Sequence, residues 1–314
     1  GAALPLQESA LATRRRVLGE EHPTTLASMD TMGDLLRRQG KLAEAERYER
    51  EVMETRRRVL GEEHPDTMEA IHDMAAQLEK QGNWNDAELY YREVLEKRRR
   101  TLGEEHPETL STLNSLGYTL TLQGKSDQAE PVLREALEKF RRVFGQEHPE
   151  TLIALDNLAG ALESQGKLAE AESYCREALE KRRRVLGEEH PHTLISINNM
   201  GVNLDVQGNL TEAEPYYREA LDKFRRVLGD EHHETLMCIG NLGVLLRQQG
   251  QLAEAEPYYR EALETRRRVL GEEHPNTLMS INNMGALLRD QGKLAEAEPY
   301  HIEALEKYRR VLGE

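Results

Sequence analysis

Along residues 278–288 the apolar side chains fall three or four apart, at Leu278, Ile281, Met284 and Leu288, with Gly285 beside Met284. That spacing sets them on one face of an α-helix, and a glycine on the same face marks the close approach of a second helix. DQGK then interrupts the pattern at Gly292, the glycine expected just past a helix end. In the preceding copy a second stripe runs through Leu252, Ala255, Tyr259, Ala262 and Leu263 and continues to Val269 and Leu270. The pattern predicts two amphipathic helices joined by a glycine turn, a left-handed stop at Gly271, and Pro275 in the first turn of the next helix.

The two stripes return along the whole chain. The decapeptide RRRVLGEEHP stands at Arg14, Arg56, Arg182 and Arg266. Its histidine column, His22, His64, His106, His148, His190, His232 and His274, is spaced by 42 residues without a slip. This self-similarity predicts one array over residues 1–314: a half repeat over 1–22, then seven repeats, fifteen helices in all beginning with a lone second-type helix through Leu18. A catalytic motif normally occurs once per active site, so the repetition assigns the decapeptide to architecture. Arg266, Arg267 and Arg268 fall in the last turns of a helix, where positive charge suits the macrodipole and Glu264 stands four residues before Arg268. Pro257, with its equivalents Pro131, Pro215 and Pro299, lies about a turn into the second helix and predicts a slight bend.

Charged residues make up 32% of the chain, hydrophobic residues 38% and aromatic residues 5%, as befits helices that each bury one stripe and solvate the rest. The net charge of −15 counts against nucleic acid and anionic membranes as general partners. No apolar run is long enough to span a bilayer and no signal sequence opens the chain, so a soluble, cytoplasmic setting is expected. Cys175 and Cys238 stand one and a half repeats apart, too far to bridge, which fits a reducing compartment. The leading Gly1 and Ala2 read as a cloning remnant, which suits an excised piece of a larger protein.

Gly243, Ala255, Tyr259 and Ala262 match the small and aromatic positions of the tetratricopeptide repeat, which the chain resembles; Arg267 replaces the usual closing proline. The segments NNMG, QGQLAEAEPYYREALE and LGEEHP, with the 42-residue period, are similar to the kinesin light chain type of that repeat. The likeness covers essentially the whole chain, although the heptad coiled coil by which such a subunit joins its motor is not in this sequence. The resemblance implies an all-α, right-handed solenoid whose first helices line a concave face. It also implies a cargo groove built with asparagines.

With Leu278 as position 1, position 5 carries Asp30, His72, Asn114, Asp156, Asn198, Gly240 and Asn282. Position 6 adds Asp73, Asn157, Asn199, Asn241 and Asn283. An asparagine both donates and accepts, so a ladder of them can pair with the backbone of an extended peptide whatever its sequence. The position 6 asparagines read equally as ties between adjacent helices. Position 12 reads Arg37, Glu79, Thr121, Glu163, Asp205, Arg247 and Arg289; with Arg38 and Lys80 it predicts a face basic toward both ends and acidic in the middle, or simple solvated variation. The candidate groove is therefore Asn114, Asn198, Asn282, His72, Asp156, Arg37, Arg247 and Arg289. A carboxylate clamp is disfavoured, because position 9 reads Asp34, Ala76, Tyr118, Gly160, Val202, Val244 and Ala286 where an asparagine is needed.

No metal or cofactor is expected: each loop supplies one motif histidine, and adjacent residues such as His232, His233 and Glu234 rarely point at one ion. Cys175, in the tyrosine column of Tyr259, and Trp84, in the column of Leu252, read as core. No phosphate loop, nucleophile elbow or paired-carboxylate motif is present, so the chain reads as a non-enzymatic scaffold for a protein or peptide. The alternative is a structural spacer or a head-to-tail self-associating array with uncovered terminal stripes, in which Leu294, Ala297, Leu305 and Tyr308 stand at one end and Leu11 at the other.

Overall fold

A computed structural model describes residues 3–39 and 41–312, with the side chains of Ala3, Arg38, Leu42, Val311 and Leu312 outside the described atoms. Among the described residues there are fifteen α-helices and no strand. Helix α1 is Ala3–Leu18; α2 and α3 are Pro23–Arg38 and Leu42–Leu60; α4 and α5 are Pro65–Lys80 and Trp84–Thr101; α6 and α7 are Pro107–Leu122 and Ser126–Phe144. Then α8 is Pro149–Ser164, α9 Leu168–Leu186, α10 Pro191–Val206, α11 Leu210–Leu228, α12 His233–Gln248, α13 Leu252–Leu270, α14 Pro275–Asp290 and α15 Leu294–Leu312. They form two compact units, residues 1–165 and 166–314.

Within the first unit each helix packs on the next, and α4 also touches α6 and α6 touches α8. The backbones of the second-type helices α1, α3, α5 and α7 stand farther apart, and only long charged side chains bridge them, as Arg15 to Glu51 and Arg57 to Glu93 do. Layers that approach on one side and splay on the other must curve toward the close side, so α2, α4, α6 and α8 form the concave face of this unit. In the second unit α10, α12 and α14 make the corresponding contacts. Each unit is thus an all-α solenoid of stacked helix pairs.

The predicted stripes are the core. Leu278, Ile281, Met284 and Leu288 are buried, as are Ala255, Tyr259, Ala262 and Leu263, and Cys175 fills the tyrosine column of α9. The close approach is real: a Cβ on Gly117 would stand 2.5 Å from Leu133 Cγ. Val269, Leu270 and Trp84 depart from the expectation, all three being exposed. They sit at helix ends, where a neighbour covers only one side; Trp84 is the first residue of α5.

The turn glycines separate into two kinds. After α14, Gly292 has φ 78°. Its amide donates to Arg289 O and that of Lys293 to Leu288 O, both at 2.9 Å, the paired closure of a Schellman motif. Gly271 differs from the sequence expectation: φ 91° and ψ 169° lie in the extended mirror region that is essentially reserved for glycine, and not in the left-handed helical well. The glutamine before the first glycine also acts between repeats. Gln123, Gln165, Gln249 and Gln291 donate through Nε2 to Trp84 O, Ser126 O, Leu210 O and Leu252 O, so these four first helices are each tied to the start of the second helix before it.

The three arginines of the decapeptide have three different destinations. In the later copies the first is buried between two first helices, as Arg266 is, reaching Ser280 Oγ on α14 at 2.7 Å and Leu236 O on α12 at 2.9 Å, whereas Arg14 is exposed and Arg56 half-buried. The second closes a ring of charges. Arg99 meets Glu135 at 2.9 Å and Glu104 at 3.1 Å, and Lys139 meets both, at 2.6 and 2.7 Å. Rings of the same kind join Arg183, Glu219, Lys223 and Glu188, and Arg267, Glu303, Lys307 and Glu272. The third arginine reaches back one loop, Arg226 to Glu189 at 2.6 Å and Arg310 to Glu273 at 2.8 Å. Arg268 pairs with Glu231 and not, as its spacing suggested, with Glu264.

The histidine column supplies the N-caps. In each motif loop the imidazole Nδ1 accepts the amide of the residue two places on, Asp66 N at 3.2 Å for His64 and Asn276 N at 3.2 Å for His274. His64→Ala is expected to cost about 1 kcal/mol in denaturant unfolding, and His64→Asn to restore most of it. Burial, with the nearby charges of His233 and Arg266, lowers the pKa of His274 from the usual 6.5. A depressed imidazole pKa means that this cap is complete above pH 6.5 and is lost as pH falls through the lowered folded value. His274→Asn should therefore melt like the unmodified chain at pH 8 and above it at pH 5.

Candidate functional site

On a first helix, positions 2, 5, 9 and 12 are separated by three, four and three residues and so share one face. In both units this is the concave side. Position 5 lies at its floor. Asn114 and Asn198 have 7% and 5% of their surface exposed, because the adjoining first helices close over them, while Asn282 on α14 is exposed. Asn241 at position 6 donates through Nδ2 to Asn198 Oδ1 at 3.3 Å, a tie between successive repeats. His72 and Asp156 are half-buried. The His72 ring stands edge-on to Tyr91, 5.3 Å between centroids, and its Nδ1 is 3.9 Å from Asp73.

Position 12 is linked to its surroundings in both units. Arg247 pairs with Asp290 at 2.9 Å, Glu79 accepts from Thr119 Oγ1 at 2.6 Å, and Asp205 accepts from the Tyr217 hydroxyl at 3.5 Å. Burial raises the carboxyl pKa of Glu79 and of Asp205. Arg289 is exposed and lies 3.4 Å from Asp290. Three open residues of this face were not among the sequence candidates: Tyr118 at position 9, and Met237 and Met279 at position 2. The available signal was an aromatic or thioether side chain at a position that the core stripe does not use.

At the N-terminal end the expected basic character is reversed. Arg37 pairs with Asp34 and stands 3.4 Å from Glu49, and Arg56 donates to Asp30 at 2.7 Å. These pairs line a cavity of about 180 Å³ whose rim adds Glu69 and Asp73. Glu49 occupies the column held elsewhere by Tyr91, Leu133, Cys175, Tyr217, Tyr259 and His301. Both of its carboxylate oxygens are enclosed without a hydrogen-bond partner. Burial raises its pKa to about 7, assisted by Asp73, Asp34 and Asp30 and opposed by Arg37. Sequence reading along the first helices overlooked this group because it is carried by the second.

Stacked helix pairs with a variable face define a helical-repeat scaffold. Two family models, each described as tetratricopeptide repeat, match the chain, one over residues 66–142, 197–268 and 239–310, the other over 1–24, 25–66 and 151–192. The chain belongs to the tetratricopeptide repeat family. Among solved structures it is similar to a kinesin light chain-like protein of Podosopora anserina with nearly identical TPR-like repeats (21% identity, 66% of this chain, 98% of that one, TM-score 0.56). It is also similar to BtubC (BKLC) from P. vanneervenii (22% identity, 74% and 93% covered, TM-score 0.61) and to the apo form of RapI (15% identity, 79% and 99% covered, TM-score 0.55). These likenesses show the fold. No curated protein matches the chain. Members of the family typically mediate protein interactions and are generally non-enzymatic. No described helix is long and apolar enough to cross a membrane.

Proposed function

We propose that the chain is a non-enzymatic scaffold that holds an extended protein segment against the concave first-helix face of its units. The observation that carries this reading is where the repeats differ. Position 4 stays apolar throughout, as Met29, Ile71, Leu113, Leu155, Ile197, Ile239 and Ile281, whereas position 5 passes through acid, imidazole, amide and glycine. A spacer has no use for chemical variation along this face, and a reader of sequence does. The exposed methionines of that face, Met237 and Met279, suit side chains of irregular shape. Exposed polar positions beside them supply backbone partners.

The test is a peptide-display selection on the intact chain, repeated with Met279→Lys plus Asn282→Ala. Selected peptides should bind the double variant at least about tenfold more weakly, a loss of about 1.4 kcal/mol, with an unchanged helical circular dichroism signal. Equal affinity for both proteins would remove this face from the account.

End-to-end association is a second reading, favoured by the exposure of Leu294, Ile302, Leu305 and Tyr308 on α15. Ala297 does not share in it, being buried, and Leu11 is covered by the cluster of Leu26, Met29 and Met32, so that Leu6, Val17 and Leu18 are the exposed large apolar residues of α1. Sedimentation equilibrium of Leu294→Lys plus Leu305→Lys separates the readings. A concentration-dependent mass that falls in the variant supports association, and a monomer at every concentration excludes it.

A further inference from the structure

We propose that the cavity floored by Glu49 receives one cationic side chain, a lysine ammonium or an arginine guanidinium, of the segment bound on the concave face of the N-terminal unit. The peptide context of this inference rests on the reading given above.

The cavity exists because the chain departs from its own repeat. A tyrosine fills this column in three other repeats, at Tyr91, Tyr217 and Tyr259. The shorter glutamate leaves about 180 Å³ between α2, α3 and α4, under residues of positions 2, 5, 6, 9 and 12. Two guanidinium groups line this space, each already paired, Arg56 with Asp30 and Arg37 with Asp34. Glu49, Glu69 and Asp73 are then in excess, although Asp73 has His72 Nδ1 at 3.9 Å and Glu49 has Arg37 Nε at 3.4 Å. Glu49 is the telling group: 11% of its side chain is exposed, and both oxygens are enclosed and accept no hydrogen bond. A buried acceptor pair of this kind is costly until a donor enters. Among the described residues no group of three or more His, Cys, Asp or Glu side chains is arranged to hold a metal ion. An organic cation on a flexible stem can reach Glu49 from the open face while its methylenes rest on Val52 and Ala70, which also line the cavity. The raised carboxyl pKa fits the same role, since an arriving cation favours the ionised form and should lower it.

The experiment titrates the chain with n-butylammonium and n-propylguanidinium chlorides, with n-butanol and sodium chloride as controls, and follows the amide NMR signals of Gly33 and Asp73. Saturable shifts at roughly millimolar cation are expected, strengthening from pH 6 to pH 8 and absent with both controls. Glu49→Tyr should fold, because it restores the side chain of three other repeats, and should abolish the response. Shifts that never saturate, or that persist in Glu49→Tyr, overturn the proposal. The probes are not peptides, so this outcome is independent of the display selection: failed selection with saturable cation binding counts against the groove alone, and the reverse counts against the pocket alone.

Discussion

Arg98→Ala is expected to lower the unfolding free energy by about 2–4 kcal/mol, the largest effect of any single change outside the apolar core. The guanidinium is 4% exposed as a residue and donates to Thr112 Oγ1 at 2.7 Å and to Glu108 O at 3.2 Å, with the Glu108 carboxylate 3.2 Å away. Truncation leaves a cavity and strips the buried Thr112 hydroxyl of its donor. The chain itself contains the compensating version. Arg98, Arg182 and Arg266 are each followed fourteen residues on by Thr112, Ser196 and Ser280, whereas Phe140 and Phe224 are followed by Ala154 and Cys238. In these five repeats the charged donor accompanies a hydroxyl and the aromatic ring a small side chain without one, whereas Arg56, followed by Ala70, turns instead to Asp30. Arg98→Phe together with Thr112→Ala should accordingly lie within about 1 kcal/mol of the original chain, although each single change destabilises. A double-mutant cycle in urea reads the coupling directly, and its absence would show that the pairing is incidental.

The second large effect is a gain. Glu49→Tyr should raise stability at pH 8 by on the order of 2–3 kcal/mol, because an enclosed carboxylate is replaced by the ring that its column normally holds. The pH dependence has a definite sign. Below pH 4.5 the carboxyl is protonated folded or unfolded; between 4.5 and about 7 the unfolded chain releases the proton while the folded one retains it. Stability therefore falls as pH rises through that window and levels off above it. The melting-temperature advantage of Glu49→Gln over the original chain should grow across the same window, and a constant difference would show that Glu49 is not the group responsible. Its retention at a stability cost is what a ligand-facing carboxylate requires.

The helices, their order and most of the core could be read from the sequence, because the apolar spacing and the turn glycines are local signals repeated seven times. The interactions between repeats could not. Gln123 to Trp84, Arg99 to Glu135 and Asn241 to Asn198 join residues 39, 36 and 43 apart. Each offset is close to one period, so the column pattern looks the same whether or not the side chains meet. The burial of Asn114 and Asn198 has the same origin, since a helix wheel shows the face of one helix and not the neighbour that closes over it. Glu49 is legible as the one acid in its column, but it stands on a second helix, away from the first-helix positions that point to a groove. The side chain of Arg38, part of the predicted basic end, lies outside the described atoms.

The central claim is that the first-helix face is where a partner segment lies. Site-specific photo-crosslinking tests it most directly: a benzophenone amino acid replaces Met279 on the concave side of α14 or Arg260 on the outer side of α13, and each protein is irradiated with a peptide selected on the original chain. The account predicts a covalent adduct from position 279 and none from position 260. Adducts from position 260 alone would place the partner on the outer helices and contradict it.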